Sequence, residues 1–392
     1  MKSLRIAALL AATLLTSSTV WAQALLTEKK TFELPSFTTQ SGKALKNVKV
    51  GWETYGTLNA DKSNAILICH FFSGTSHAAG KYKETDAAPG YWDSIIGPGK
   101  AIDTNKYFVI SSDTLVNLGA NDPTVVTTGP ASINPDTGKP YGMDFPIVTI
   151  RDFIEVQKSL VESLGIKKLH MVAGASMGAL QTFEWAATYP DMVGRAMPVI
   201  AFGEADANLI AWLDICASPI RLDPNWNKGD YYGKTPPNAG LAQALKIVTL
   251  HAQHWDWANK TFGRKWAKAD ENPAAGFDKR FSIEAVLDGA GAARAKISDA
   301  NHFLYLVKAN QLFVAGGGTL DEGMKKIKAP VLLIHSPKDL VFPPGGVDDT
   351  AAKLKAAGVP VEQIQLKGDR GHLDGVLTIK QAEGAISAFV AK

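Results

Sequence analysis

The stretch "LHMVAGASMGALQTFEWAATYP", Leu169 to Pro190, decides the fold. A short apolar, β-rich segment runs through Gly174-Ala175-Ser176-Met177-Gly178 into a segment with Leu180, Phe183 and Ala187 at helical spacing, which Pro190 ends. Strand, tight turn and helix in that order form the context a Gly-x-Ser-x-Gly elbow demands. The serine of such an elbow occupies a strained turn, and side chains two residues to either side would collide with the neighbouring backbone. The five-residue motif alone is weakly specific, and an ordinary serine in a tight turn is the competing reading. The flanking strand and helix make Ser176 a candidate nucleophile.

Working outward, six β-rich runs alternate with helical patterns: Ala65 to His70, Tyr107 to Ser112, Leu169 to Gly174, Ala196 to Phe202, Ala329 to Ser336 and Val361 to Gly368. Strands interleaved with helices predict an α/β fold, a mostly parallel sheet with helices on both faces. Asp152 to Leu164 reads as one such helix, with Phe153, Val156, Leu160 and Leu164 on one side and Gly165 as its stop. The rhythm breaks between Glu204 and about Met324, where Trp212, Trp226, Trp255, Trp257 and Trp266 sit among helical patterns. That segment predicts a helical cap, residues 205–324, inserted between two parts of the core, 25–204 and 325–392. Most of its tryptophans are expected to fill the cap's own core.

A serine hydroxyl needs a base within hydrogen-bond reach and an acid to orient that base. On an elbow of this kind the chain order is Ser, Asp or Glu, then His. His302 falls in the cap pattern "DANHFLYL" and His335 inside an apolar strand, where a packed core role is the better reading. His372, in the Gly-flanked loop "GDRGHLDG", follows the last strand, and Asp339, in "HSPKDLVFPP", follows the one before it. Both project from carboxyl ends of strands, where open α/β sheets place their ligands. An anionic tetrahedral intermediate also needs two N–H donors, for which the amides of Met177 and of Phe72, in "HFFSG", are the candidates.

The chain has 392 residues, 46% hydrophobic and 20% charged, enough to bury a large core. Its formal net charge of +3 includes Lys2 and Arg5, so the body without them is close to neutral. That balance argues against nucleic-acid or membrane-surface partners. Lys2 and Arg5 precede a short apolar run, Ile6 to Leu15, and small residues with cleavage sites after Ala22 or Ala24, the layout of a secretory signal peptide over 1–24. The run is well short of the ~20 residues needed to span a bilayer. A periplasmic or secreted location is the expectation. Cys69 and Cys216 lack metal-site spacing and read as buried small hydrophobes. No metal or organic cofactor is called for.

Beyond these features the sequence resembles the homoserine O-acetyltransferase family of α/β-hydrolases. The resemblance runs from "GWETYGTLNADKSNAILICH" to "GHLDGVL", and its most specific pieces are "YWDSIIGPGKAIDTNKYFVISS", "GPASINPDTGKPYGMDFPIVTIRD", "GASMGALQTFEWAATYPD", "LDPNWNKGDYY", "DANHFLYL" and "KDLVFPP". It implies a triad of Ser176, Asp339 and His372, a ping-pong transfer of an acyl group from a thioester to a hydroxyl, and a homodimer through cap helices. It also places Tyr231, Leu245 and Leu373 as substrate-binding positions. Here the chain departs from the family. Leu373 stands where an aspartate would hold the substrate's amine, with Asp374 next to it, and Leu245 stands where an arginine would hold its carboxylate, with Lys246 beside it. Ala175 replaces an elbow glycine. A zwitterionic substrate would lose both charged partners in a desolvated pocket, which is costly.

Those departures, together with the expected export, make a carboxylic ester hydrolase the leading expectation: a small ester is cleaved through an acyl-serine that water releases. The alternatives are an O-acyltransferase using acetyl-coenzyme A, and a non-catalytic binding protein on the same fold.

Overall fold

The structure, a computed structural model, describes residues 25–392. The signal segment expected over 1–24 lies outside them. An eight-stranded sheet forms the centre: β1 Lys30–Thr38, β2 Ala44–Tyr55, β3 Ala65–Cys69, β4 Phe108–Ser112, β5 Met171–Ala175, β6 Ala196–Val199, β7 Val331–His335 and β8 Val361–Gln365. Their order across the sheet is β1-β2-β4-β3-β5-β6-β7-β8. All six strands read from the sequence are present and mutually parallel, as βαβ crossovers require.

The antiparallel pair β1 and β2 at one edge was not foreseen. Pro35 lies within β1, where an edge strand tolerates a missing N–H. In β2, a Cβ on Gly51 would lie 2.3 Å from Asp113 Oδ2, so close approach explains the glycine.

Helices α1 Ile150–Ser163 and α2 Met177–Thr188 cover one face. α1 starts on a Thr149 and Asp152 capping box, buries Phe153, Val156 and Leu160, and stops at Gly165, whose φ is +74°. α2 is buried almost all round, as a helix between sheet and outer layer must be.

Between β6 and β7 come α3 Ala207–Leu222, α4 Asn238–His251, α5 Trp255–Thr261, α6 Ser282–Ala295, α7 Ala300–Gln311 and α8 Leu320–Lys326. α3 packs on α4 and α7, and α4 on α6, which makes the cap. α8 packs instead on α2 and on α9 Pro344–Ala356, so it falls with the core rather than inside a cap ending at 324. α10 Asp374–Leu377 and α11 Glu383–Ala391 close the chain on the other face of the sheet. Cys69 and Cys216 are both buried free thiols. No helix among the described residues is long and apolar enough to cross a membrane.

Candidate active site

Ser176 joins β5 to α2 with φ 55° and ψ −122°, a conformation that a residue with a side chain holds only under constraint. The neighbouring glycines explain the constraint. A Cβ on Gly174 would lie 2.4 Å from the Gly178 carbonyl oxygen, and one on Gly178 would lie 2.1 Å from that of Cys69. Sheet, turn and helix therefore meet backbone to backbone.

His372 lies in a short turn, Gly371–Leu373, after β8. Its Nε2 is 2.8 Å from Ser176 Oγ, and its Nδ1 is 2.8 Å from Asp339 Oδ2. The other Asp339 oxygen accepts the amides of Val341 and Phe342 at 2.8 and 2.9 Å, which fixes the carboxylate after β7. A carboxylate on Nδ1 keeps the proton there and leaves Nε2 free to accept the serine O–H. The three side chains are 8%, 3% and 7% exposed for Ser176, Asp339 and His372. Close contact across 196 residues of chain therefore joins the serine, imidazole and carboxylate read from the sequence.

Among the described residues, neither the Phe72 nor the Met177 amide donates to a protein acceptor. The loop carrying Phe72 is held from behind by His70, which is fully buried. Burial lowers the His70 pKa, so the ring is neutral: Nδ1 donates to the Phe71 carbonyl at 2.7 Å, and Nε2 accepts from Thr114 N at 3.2 Å. Asn117 approaches the same Nε2 at 3.2 Å and donates to the Gly74 carbonyl at 3.1 Å. Gln181 of α2 donates to the His70 carbonyl at 3.2 Å, which ties the Phe72 loop to the helix that begins with Met177. Sequence reading missed this brace because its members lie more than 40 residues apart and match no motif. The Thr114 to Pro130 loop supplies two of them.

Ser176 and His372 open on a cavity of about 150 Å³, room for a group of a few carbon atoms. Phe71, Trp212, Leu213, Phe303, Phe342 and Leu373 give it mostly apolar walls, and Thr249, Asn310 and Arg294 add polar ones. Trp212 thus belongs to the cap wall of the site. Leu373 lines the cavity as the resemblance implies. Asp374 does not: it is fully buried and accepts the Ser336 hydroxyl at 3.1 Å.

Two positions carried over by resemblance are not among the residues lining this cavity. Tyr231 lies outside the cavity; its hydroxyl donates to Asp299 Oδ2 at 2.7 Å and accepts the Asn301 amide at 3.1 Å, which secures the start of α7. The Leu245 side chain is wholly buried and does not line the cavity. Lys246 is paired with Asp288 at 2.5 Å. His302 is fully buried, donating from Nδ1 to the Asn117 carbonyl at 2.8 Å and accepting the Ala131 amide at 3.2 Å, which ties α7 to the loop after β4. Among the described residues, no cluster of His, Cys, Asp or Glu has the makings of a metal site.

Residues 64–374 match the family model described as the alpha/beta hydrolase fold. The homoserine O-acetyltransferase of Methanohalobium evestigatum is 40% identical over 366 residues, 93% of this chain and 73% of the relative. The crystal structure of esterase E22 is 51% identical, with TM-score 0.89 over 93% of this chain and 100% of that one. The homoserine O-acetyltransferase structure from Bacillus anthracis is 36% identical, with TM-score 0.89 over 94% of this chain and 98% of the other. These relatives overturn the expected periplasmic or secreted location. The curated ones are homoserine O-acetyltransferases, named for a free amino acid, and give no ground for export. The objection to a transferase that rested on export falls with it. From sheet order, elbow geometry and these relatives together, the chain belongs to the α/β-hydrolase family and, within it, to the homoserine O-acetyltransferase-like enzymes, a group that includes esterases.

Proposed function

We propose that the protein hydrolyses carboxylic esters through an acyl-Ser176 intermediate. The observation that carries this reading is the unbroken hydrogen-bonded chain Ser176–His372–Asp339 opening on a small apolar cavity. Ser176 Oγ attacks the ester carbonyl carbon while His372 Nε2 takes its proton. The oxyanion turns toward the amides of Phe72 and Met177, a contact in which one donor is typically worth ~3 kcal/mol of barrier. His372 then protonates the departing alcohol. In the second half it takes a proton from water while the hydroxide attacks the acyl carbon; the bond to Ser176 Oγ breaks, His372 returns the proton to that oxygen, and the carboxylic acid leaves. Asp339 keeps the ring oriented and stabilises its cationic form.

Hydrolysis rather than transfer is supported by Leu373 in the cavity wall, with Asp374 turned into the core, because homoserine's ammonium group then has no carboxylate to meet. The 51% identity to a protein described as an esterase points the same way. Transfer to a hydroxyl acceptor remains the second reading, favoured by the 40% identity to homoserine O-acetyltransferases. Short-chain nitrophenyl esters test the proposal: turnover by the wild type and none by Ser176→Ala is expected, and equal turnover by both would overturn it. Product analysis with and without homoserine and acetyl-coenzyme A separates water from an alcohol as the acceptor.

A further inference from the structure

The cavity beside Ser176 holds one Lys or Arg side chain and no Asp or Glu. That cation is Arg294, on the cap helix α6. Among the described residues it forms no ion pair; Nη1 donates to Thr249 Oγ1 at 2.7 Å and, weakly, to the Leu245 carbonyl at 3.5 Å. Burial lowers its pKa, and no acid acts in the other direction. A guanidinium nevertheless stays charged in proteins and presents five N–H donors in a planar fork. A part-buried cation without a counter-charge is costly, and such costs are kept where a ligand relieves them.

The neighbouring charges are committed elsewhere. Lys246 and Arg280 both pair with Asp288, at 2.5 and 2.6 Å, and neither lines the cavity. Arg294 therefore supplies the cavity's fixed positive charge, from α6 across to α4 at residues 245 and 249. No negative charge balances it, since Leu373 faces the cavity and Asp374 is held by Ser336. A zwitterion is poorly matched to these walls, and a neutral ester leaves the guanidinium unpaired.

We propose that Arg294 binds a carboxylate of the substrate, so that the ester cleaved at Ser176 carries one carboxylate and no ammonium group. The proposal rests on Ser176 as the acyl acceptor and goes beyond it by naming the substrate class. The carboxylate belongs to either the alcohol or the acyl part, and 4-acetoxybutanoate and monobutyl succinate probe the two. Butyl acetate is the neutral control and O-acetylhomoserine the zwitterionic one.

The wild type is expected to show kcat/KM at least about tenfold higher for one of the two anionic esters than for either control. Arg294→Met should lose that preference by about tenfold to a hundredfold, mostly in KM, so that the anionic ester loses more than butyl acetate does. Arg294→Lys should keep part of it, as a point charge without the fork. Should Arg294→Met not fold, the wild-type comparison and the lysine variant decide the matter. Ser176-dependent turnover of nitrophenyl acetate with no preference for either anion would overturn this proposal alone, as would equal losses on charged and neutral esters. Absence of Ser176-dependent turnover of every ester would overturn the hydrolase reading and this proposal with it.

Discussion

Gly178→Ala is the sharpest perturbation of the elbow. The new Cβ would sit 2.1 Å from the Cys69 carbonyl oxygen, 2.8 Å from its carbon and 3.1 Å from the His70 oxygen. Ordinary contact begins near 3.4 Å, so relief requires 3.4 − 2.1 = 1.3 Å of movement. All three atoms are main chain, and no side chain can swing aside. α2 must therefore part from the end of β3, and with them the Met177 and Phe72 amides. A misplacement of about 1 Å can cost roughly 100-fold in rate, and loss of one oxyanion donor costs 10² to 10³. Overpacking adds about 1–3 kcal/mol of lost stability. Steady-state kcat on nitrophenyl acetate should fall about 100-fold or more, with a lower Tm. Gly384→Ala, at an exposed position of α11 with nothing within 4 Å of the new Cβ, is the control and should be neutral or stabilising by up to about 1 kcal/mol. Wild-type kcat and Tm in Gly178→Ala would refute the close-packed elbow.

Asp339→Asn should keep the fold while kcat falls by about 10³ to 10⁴, because an amide that donates to His372 Nδ1 selects the wrong tautomer; a drop under tenfold would count against its role. Asn117→Leu takes the side-chain donor from the Gly74 carbonyl and leaves His70 Nε2 with the Thr114 amide alone, and should cost about 1–3 kcal/mol in urea unfolding, with a rate loss from a looser Phe72 loop. Glu53 is buried, and desolvation raises its pKa, but His77, Lys29 and Tyr82 outweigh that and bring it from 4.5 to about 2. Its contribution is therefore present above pH 4.5 and is lost as pH falls toward 2, a difference of roughly 3 kcal/mol. The stability gap between wild type and Glu53→Gln should shrink over that window, and a gap independent of pH would contradict it.

The parallel sheet was legible because each strand is a short apolar run bounded by turns, and the elbow because its strand, glycines and helix are contiguous. Asp339 and His372 could be chosen by chain order and by their places after strands. The edge pair β1 and β2 was hidden by exposure: one side faces solvent, so its lysines and glutamates, with Pro35 and Gly51, read as loop. The brace of His70, Asn117 and Gln181 and the unpaired state of Arg294 depend on which distant elements meet, and no local pattern records that. Arg294 left only a faint trace, a lone arginine among the small residues of "GAGAARA". The Tyr231 hydroxyl's bond to Asp299 is another such long-range contact.

The central claim is that Ser176 carries the acyl group between alcohol release and hydrolysis. Peptide mapping by mass spectrometry after acid quench during nitrophenyl acetate turnover tests it directly. Acetyl on Ser176 in the wild type, accumulating in Asp339→Asn and absent in Ser176→Ala, is the expected result. Acetyl on another residue, or undiminished turnover by Ser176→Ala, would contradict it.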